Sequence, residues 1–149
     1  MGQGLISKIA IIGGGPAGCM CAYFLQDKFD VTIFEKNSPL KTLLPTGGGR
    51  CNLAHAEFDF KELAKNYPRG EKFLYSVFSK FSSSDTIDFF EKIGVPTYIQ
   101  DNLRIFPKSN SSKDVRSHFL QALRRVRFVK ENALRINKKN NAFSVVTDM

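Results

Sequence analysis

The sequence predicts an α/β fold with a parallel sheet, and three features of its first 35 residues carry this prediction. A short β-branched run at residues 8–12 ends at a cluster of glycines. Residues 16–27 contain no proline or glycine beyond the first turn and are typical of a buried helix, and a second, largely apolar run follows at residues 31–35. Strand, tight turn, helix and strand in this order form the βαβ unit of a parallel sheet.

The glycine cluster has the spacing of a dinucleotide-binding turn. Gly13 permits the tight turn, Gly15 lets a pyrophosphate approach the backbone, and Gly18 allows the helix to pack closely on the strand. Free N–H groups at the start of the helix would bind the pyrophosphate through their partial positive charge. The complete candidate set on this turn is Gly13, Gly14, Gly15, Pro16, Ala17 and Gly18.

An acidic residue lies where such folds hold a ribose. Glu35 ends the second apolar run, 22 positions after Gly13, and Lys36 follows it. A carboxylate at this point binds a ribose hydroxyl and disfavours a 2′-phosphate, which argues against NADP in this site. The first glycine turn therefore leaves NAD and FAD as its candidate ligands.

Residues 37–52 form a long loop with a second glycine cluster, and long loops usually have a function. Gly48 and Gly49 before Arg50 can bring several N–H donors to an oxygen-rich or flavin edge, and Arg50 can pair with a phosphate. A simple NAD dehydrogenase does not need such a loop, so it favours FAD, with NAD(P)H as a possible electron donor. Cys51 and Asn52 complete the candidate residues on this loop.

The middle of the chain is predicted to be helical. The apolar spacing indicates helices near residues 60–81 and 85–93, with the phenylalanines of the first segment in the core. Ser111, with Asp114 three positions later, predicts a capping box at the start of a further helix.

The last third of the chain is predicted to contain mostly strands. Residues 97–100 and 103–106 flank Asp101-Asn102, and both of these residues tolerate a positive φ, which predicts a two-residue hairpin. Three short strands are expected at residues 127–129, 133–136 and 143–147.

Length and composition indicate one globular domain. The chain has 149 residues, 42% of them hydrophobic and 24% charged, which excludes a disordered tail or a fibrous repeat. Its three cysteines have no metal-ligand spacing, so we expect no metal site and a reducing compartment. No apolar run approaches the length of a membrane span. The expected location is therefore cytoplasmic.

The positive charge is concentrated in one segment. The net charge is +8, and residues 104–139 hold 11 Lys and Arg against two acidic residues. Such a segment could bind nucleic acid, a membrane surface or another partner, or it could be a solvated face. Spacing alone does not discriminate these alternatives, and we expect no specific nucleic-acid function.

The motifs resemble, in order and spacing, the BaiN-type, aminoacetone-oxidase-like family of bacterial NAD(P)/FAD-dependent oxidoreductases. The similarity covers essentially the whole chain. Its blocks are residues 13–18, 35–36, 47–53 and 104–107. The resemblance implies a Rossmann-like FAD/NAD(P)-binding fold, a glutathione-reductase-like three-layer ββα arrangement that is incomplete, with a helical excursion after the second strand.

The same resemblance implies where a flavin would be held. Its ADP half would lie on the first glycine turn and Glu35, and the second glycine loop would lie near the pyrophosphate and the flavin. The backbone near Ala133 resembles the strand that lines the adenine in related flavoproteins. The sequence departs from the family pattern at four positions: Thr42 replaces a lysine, Thr46 a serine, His55 an asparagine and Leu103 a glycine.

Members of the family are much longer than this sequence, which is therefore expected to be an N-terminal portion of an FAD-binding domain. Within it, residues 1–57 would hold the βαβ unit and the second glycine loop, residues 58–95 the helical excursion, and residues 96–149 a hairpin, a helix and a β-meander. The expected partner is the missing C-terminal portion as a separate chain, or a second copy. A nonfunctional remnant is the remaining alternative, and no catalytic residue is identified.

Overall fold

The computed structural model describes residues 7–140 and 142–149. The strands are β1 (Lys8–Ile12), β2 (Asp30–Phe34), β3 (Ala54–His55), β4 (Thr97–Ile99), β5 (Arg104–Pro107), β6 (Arg127–Val129), β7 (Ala133–Lys139) and β8 (Ala142–Thr147). The helices are α1 (Pro16–Leu25), α2 (Phe60–Lys65), α3 (Glu71–Phe78), α4 (Ser83–Lys92) and α5 (Ser112–Ala122), with short 3-10 turns at Lys41–Leu43 and Thr46–Gly49. In the part of the chain that is described, no helix has the length and apolar character needed to cross a membrane.

The chain forms two compact units. Unit 1 comprises the chain up to Leu43 together with Leu120–Met149, and unit 2 comprises Leu44–Phe119. These limits differ from the segments expected from the sequence, because the glycines of the second loop, Gly47, Gly48 and Gly49, lie in unit 2, whereas the βαβ unit lies in unit 1.

Unit 1 contains a parallel sheet in the order β1-β2-β6. The pairing of β1 with β2 sets Ile9 beside Val31 and Ile11 beside Ile33. Val31 and Ile33 of the central strand are fully buried, as expected for a strand covered by a helix. The predicted Rossmann-like α/β fold is therefore confirmed.

Helix α1 begins as its sequence predicts. Gly15 is the N-cap and Pro16 the first helical residue, where the missing N–H of proline does no harm. Cys19 and Ala22, three positions apart on one face, are completely buried. The helix ends at Leu25, two residues before the expected end.

The expected β-meander is wrong in one respect. Strand β6 pairs in parallel with β2, while β7 and β8 form an antiparallel hairpin of their own. A helix precedes β6, which lets the chain cross over and enter the sheet in parallel. The hairpin carries a largely exposed apolar side, with Ile136 at 58% and Phe143 at 69% exposure.

Unit 2 is built on an antiparallel sheet in the order β3-β5-β4. Ile105 and Phe106 on the central strand are buried. Three aromatic rings of the same unit pack edge to face, with Phe89 and Phe119 at 5.1 Å and Phe90 and Phe119 at 6.2 Å between ring centroids. Such pairs add stability beyond the area that they bury.

The expectation that the phenylalanines of residues 60–81 are core residues is wrong. Helix α3 contains no buried residue, and Phe73 is 74% exposed. Phe78 and Phe81 are half-buried, and the ring of Phe78 contacts Tyr67 at 5.4 Å. The helical spacing correctly indicates an amphipathic helix, but it does not show how much of the apolar face other elements cover.

The hairpin between β4 and β5 has a longer turn than predicted. Ile99 pairs with Ile105, and the N–H of Leu103 donates to the carbonyl of Gln100 at 2.8 Å. The positive φ is at Leu103 (+61°) and not at Asp101 or Asn102. This left-handed conformation explains why a glycine suits position 103.

We expect Leu103→Gly to give a more stable protein than Leu103→Ala. A side chain in the left-handed region costs about 1–2 kcal/mol, which glycine avoids. Leu103 is 47% exposed, so little packing is lost in either variant. Denaturant unfolding should place the glycine variant about 0.5–1 kcal/mol above the alanine variant. The reverse order, which is the usual one outside left-handed positions, would contradict this reading.

Candidate functional site

The first glycine turn is formed by a close contact between the start of α1 and the end of β1. Gly13 has a φ of +99°, and its N–H donates to the carbonyl of Phe34 at 2.8 Å. A Cβ at Gly18 would overlap the carbonyl oxygen of Gly13 and would lie 3.3 Å from Cγ2 of Ile11. The structural roles expected for Gly13 and Gly18 are therefore present in the fold.

Glu35 ties the turn to the end of β2. Its Oε2 accepts a hydrogen bond from the N–H of Gly14 at 2.8 Å, and its Oε1 accepts one from the N–H of Asn37 at 2.7 Å. A Cβ at Gly14 would lie 3.0 Å from Cβ of Glu35, so this close approach also depends on glycine. Each carboxylate oxygen keeps a second lone pair with which it could accept a ribose hydroxyl.

Gly15 faces open space. The nearest atom to the position of a Cβ on Gly15 is Oγ1 of Thr42, at 4.0 Å. The first N–H groups of a helix have no partner within the helix, and Pro16 and Ala17 in this first turn are exposed. Packing therefore does not require a glycine at position 15. The absence of a side chain there leaves room for a ligand at the N-terminus of α1.

A cavity of about 260 Å³ lies at the carboxyl ends of β2 and β6. The N–H of Glu35 donates to the carbonyl of Val129 at 3.0 Å and holds these two strand ends together. The volume suits one part of a dinucleotide, because whole drug-sized ligands occupy pockets of about 300–1,000 Å³. Its lining residues are Glu35, Asn37, Ser38, Pro39, Phe128, Val129 and Lys130.

Six of these seven residues were not identified from the sequence. Phe128 and Val129 escaped notice because the sequence did not reveal that β6 joins β2. The rule that ligands bind at the carboxyl ends of parallel strands would have found them once that pairing was known. Ala133 is half-buried at the start of β7 and does not line the cavity, and Lys36 is exposed beside Glu35.

The glycines of the second loop lie in unit 2 and act in two ways. Gly47, Gly48 and Gly49 all have positive φ, at +57°, +67° and +84°. A Cβ at Gly47 would lie 2.7 Å from the ring of Phe106, so this glycine is needed for packing. A Cβ at Gly48 or Gly49 would meet no atom within 4 Å. These two glycines present open backbone, as a binding loop requires.

Arg50 is held in place by this loop. Its guanidinium lies over the ring of Phe106, with Cζ 4.2 Å from the ring centroid. Its Nε donates to the carbonyl of Gly47 at 3.3 Å. Arg50 is half-buried, so the stacked side chain keeps part of its charge accessible for an anion.

Cys51 and Asn52 shape the backbone of the loop. Cys51 is buried with a φ of +66°, and its N–H donates to the carbonyl of Thr46 at 2.9 Å. With its amide oriented to satisfy its neighbours, Nδ2 of Asn52 donates to the carbonyls of Ala54 at 3.1 Å and Ile105 at 3.2 Å. Cofactor contact by these two residues stays a prediction.

The buried cysteines are poor nucleophiles. Burial, together with the nearby charge of Glu35, raises the pKa of Cys19 from 9.0 to about 12, and its thiol contacts the carbonyl of Gly14 at 3.4 Å. Burial also raises the pKa of Cys51, against a hydrogen bond from Thr46 that lowers it. The raised pKa values favour the protonated form of both thiols at neutral pH.

Comparison with known proteins identifies a family and relatives that match most of the chain. A family model for the HI0933-like protein Rossmann domain matches residues 7–148. The 3-dehydro-bile acid delta(4,6)-reductase of Clostridium scindens is 29% identical over 143 residues, which cover 90% of this chain and 34% of the reductase. The chain thus spans about a third of the length of this relative.

A solved structure shows a similar fold. The crystal structure of THI4 from Thermovibrio ammonificans matches with a TM-score of 0.50 at 14% sequence identity, covering 94% of this chain and 45% of that one. At this identity the likeness shows the fold alone.

We expect alkylation of the folded protein to modify Cys21 and to spare Cys19 and Cys51. Cys21 is exposed, whereas the other two thiols are buried and have raised pKa values, so few of them are thiolates at about pH 8. Mass spectrometry after brief treatment with iodoacetamide should find one labelled cysteine, and all three after unfolding. Rapid labelling of Cys19 in the folded protein would contradict the packing of α1.

Proposed function

The chain belongs to the family of HI0933-like Rossmann domains, and we propose that it is the FAD-binding portion of a flavin-dependent oxidoreductase. The observation that carries this proposal is the open side of Gly15 at the N-terminus of α1. Among the glycines of this turn, Gly14 and Gly18 are required by close packing, whereas a Cβ at Gly15 would meet, among the described residues, only Thr42, so the space beside Gly15 is free for a ligand.

In this proposal the ADP half of the cofactor binds in unit 1. The pyrophosphate accepts hydrogen bonds from the N–H groups at the start of α1, beside Gly15. The ribose donates to Glu35, and the adenine enters the cavity that Phe128 and Val129 line. The glycine turn, the carboxylate and the cavity lie in the order of the phosphate, sugar and base of ADP.

The second glycine loop is proposed as a further cofactor-binding element. Gly48 and Gly49 offer open backbone N–H groups, and Arg50 offers a positioned positive charge. An oxygen-rich group of the cofactor would suit these donors. Cys51 and Asn52 would act through the shape of the loop.

A bound flavin would supply hydride transfer, with NAD(P)H as the proposed electron donor. The Clostridium scindens relative is a reductase by name, and this chain matches 34% of its length. We therefore propose that turnover needs further polypeptide, and that the exposed apolar side of the β7–β8 hairpin docks it. A cytoplasmic location belongs to the same proposal and is supported by three free cysteines.

We expect the chain to bind ADP and Gly15→Val to abolish most of this binding. The valine side chain would fill the space beside the N-terminus of α1 that the pyrophosphate needs. The loss of one charge-assisted hydrogen bond, worth about 1.5–3 kcal/mol, weakens binding by at least about tenfold. Isothermal titration with ADP measures the change.

Gly18→Ala is the matched control for this experiment. Its Cβ would overlap the carbonyl of Gly13, so it should lower the unfolding temperature of the free protein, which Gly15→Val should leave nearly unchanged. The two variants separate loss of ligand space from loss of fold. Equal ADP affinity in Gly15→Val and the parent would refute the proposed site.

We expect the isolated 149-residue chain to bind FAD weakly, to show no flavin reduction by NADH, and to self-associate. Exposed apolar residues on a hairpin with free edges favour association. Flavin absorbance and light scattering would measure these properties. A monomeric yellow protein that reduces its flavin with NADH would overturn the proposal that further polypeptide is needed.

A further inference from the structure

We propose that the hydroxyl of Thr42 donates a hydrogen bond to the phosphate that approaches Gly15, which makes Thr42 a further dinucleotide-binding residue. This inference rests on the proposed function of unit 1. The family pattern that the sequence resembles has a lysine at this position, where this chain has a neutral hydroxyl.

Thr42 lies at the edge of the ligand space. Its Oγ1 is 4.0 Å from the point that a Cβ on Gly15 would occupy, and no other atom of the described residues, apart from the chain neighbours of Gly15, lies closer to that point. A phosphate oxygen that reaches the N-terminus of α1 past Gly15 would enter the space between these two residues. The hydroxyl is thus within hydrogen-bonding reach of a ligand that the turn itself would hold.

The segment that carries Thr42 is fixed to the glycine turn. The N–H of Leu40 donates to the carbonyl of Gly14 at 2.7 Å, and Leu40 is fully buried with a φ of +57°. The N–H of Leu43 donates back to the carbonyl of Leu40 at 3.1 Å and closes the 3-10 turn around Thr42. A buried residue in a left-handed conformation persists only where its surroundings determine it, so the position of Thr42 is set by the turn.

The hydroxyl of Thr42 is available. The side chain is exposed, and within the described residues no hydrogen bond to it is present. A hydroxyl has one donor and can rotate to meet a phosphate oxygen, whereas a lysine ammonium acts mainly as a point charge. Its contribution should therefore depend on the presence of a phosphate and little on salt.

The test compares ADP with adenosine, which has the same base and ribose but no phosphate. We expect Thr42→Val, a change of similar shape, to weaken ADP binding about five- to tenfold, the size of one neutral hydrogen bond, and to leave adenosine binding unchanged. Thr42→Ser keeps the hydroxyl and should stay within about twofold of the parent. Thr42→Lys should bind ADP at least as tightly as the parent, with a steeper dependence on salt.

The outcomes separate this inference from the proposed function. If the parent binds ADP and Thr42→Val binds it equally well, Thr42 does not contact the phosphate, and the proposed site in unit 1 is unaffected. If Thr42→Val loses ADP and adenosine alike, the residue acts on the fold or the adenosine cavity, and the inference is wrong. If the parent binds neither, the proposed function fails and this inference fails with it. Unfolding temperatures of the three variants confirm that each is folded.

Discussion

The contact of α1 with the carbonyl of Gly13 is the constraint on which the site in unit 1 depends. It exists only because Gly18 has no side chain, and it brings the N-terminus of the helix to the end of β1. With the turn in that position, the N–H of Gly14 meets Glu35 and its carbonyl meets the N–H of Leu40. One missing Cβ therefore orients the helix dipole, the acidic residue and the following loop toward the same space.

The sequence predicts those parts of the fold and site that depend on local chemistry. The turn, the first helix and the position of Glu35 follow from residue types at short spacing, where the requirements of the backbone are strict. The pairing of β6 with β2 joins residues almost 100 positions apart, and no local pattern encodes it. The cavity depends on this pairing, so Phe128 and Val129 became visible only in the structure.

Two further differences have the same origin in tertiary context. The apolar spacing of α3 is real, but the burial of a helix face depends on what packs against it, and Phe73 remains exposed. At the β4–β5 turn, propensity placed the positive φ at Asp101 and Asn102, whereas the pairing of Ile99 with Ile105 moves it to Leu103. The strand register thus overrides the preference of single residues.

A neutral Thr42 stands where the family pattern has a lysine. The different contributions of charge and of hydrogen bonding explain how it could still contact a phosphate. The chain already carries a net charge of +8, and Lys130 lines the cavity itself. Many residues therefore contribute to the long-range attraction of a negatively charged ligand. Salt weakens each contribution strongly at separations beyond about 10 Å. Orientation of the phosphate requires donors at fixed positions, and the turn provides these at the start of α1. In the proposed site, a hydroxyl at Thr42 would add a directional contact beside those donors and would supply less long-range attraction than a lysine.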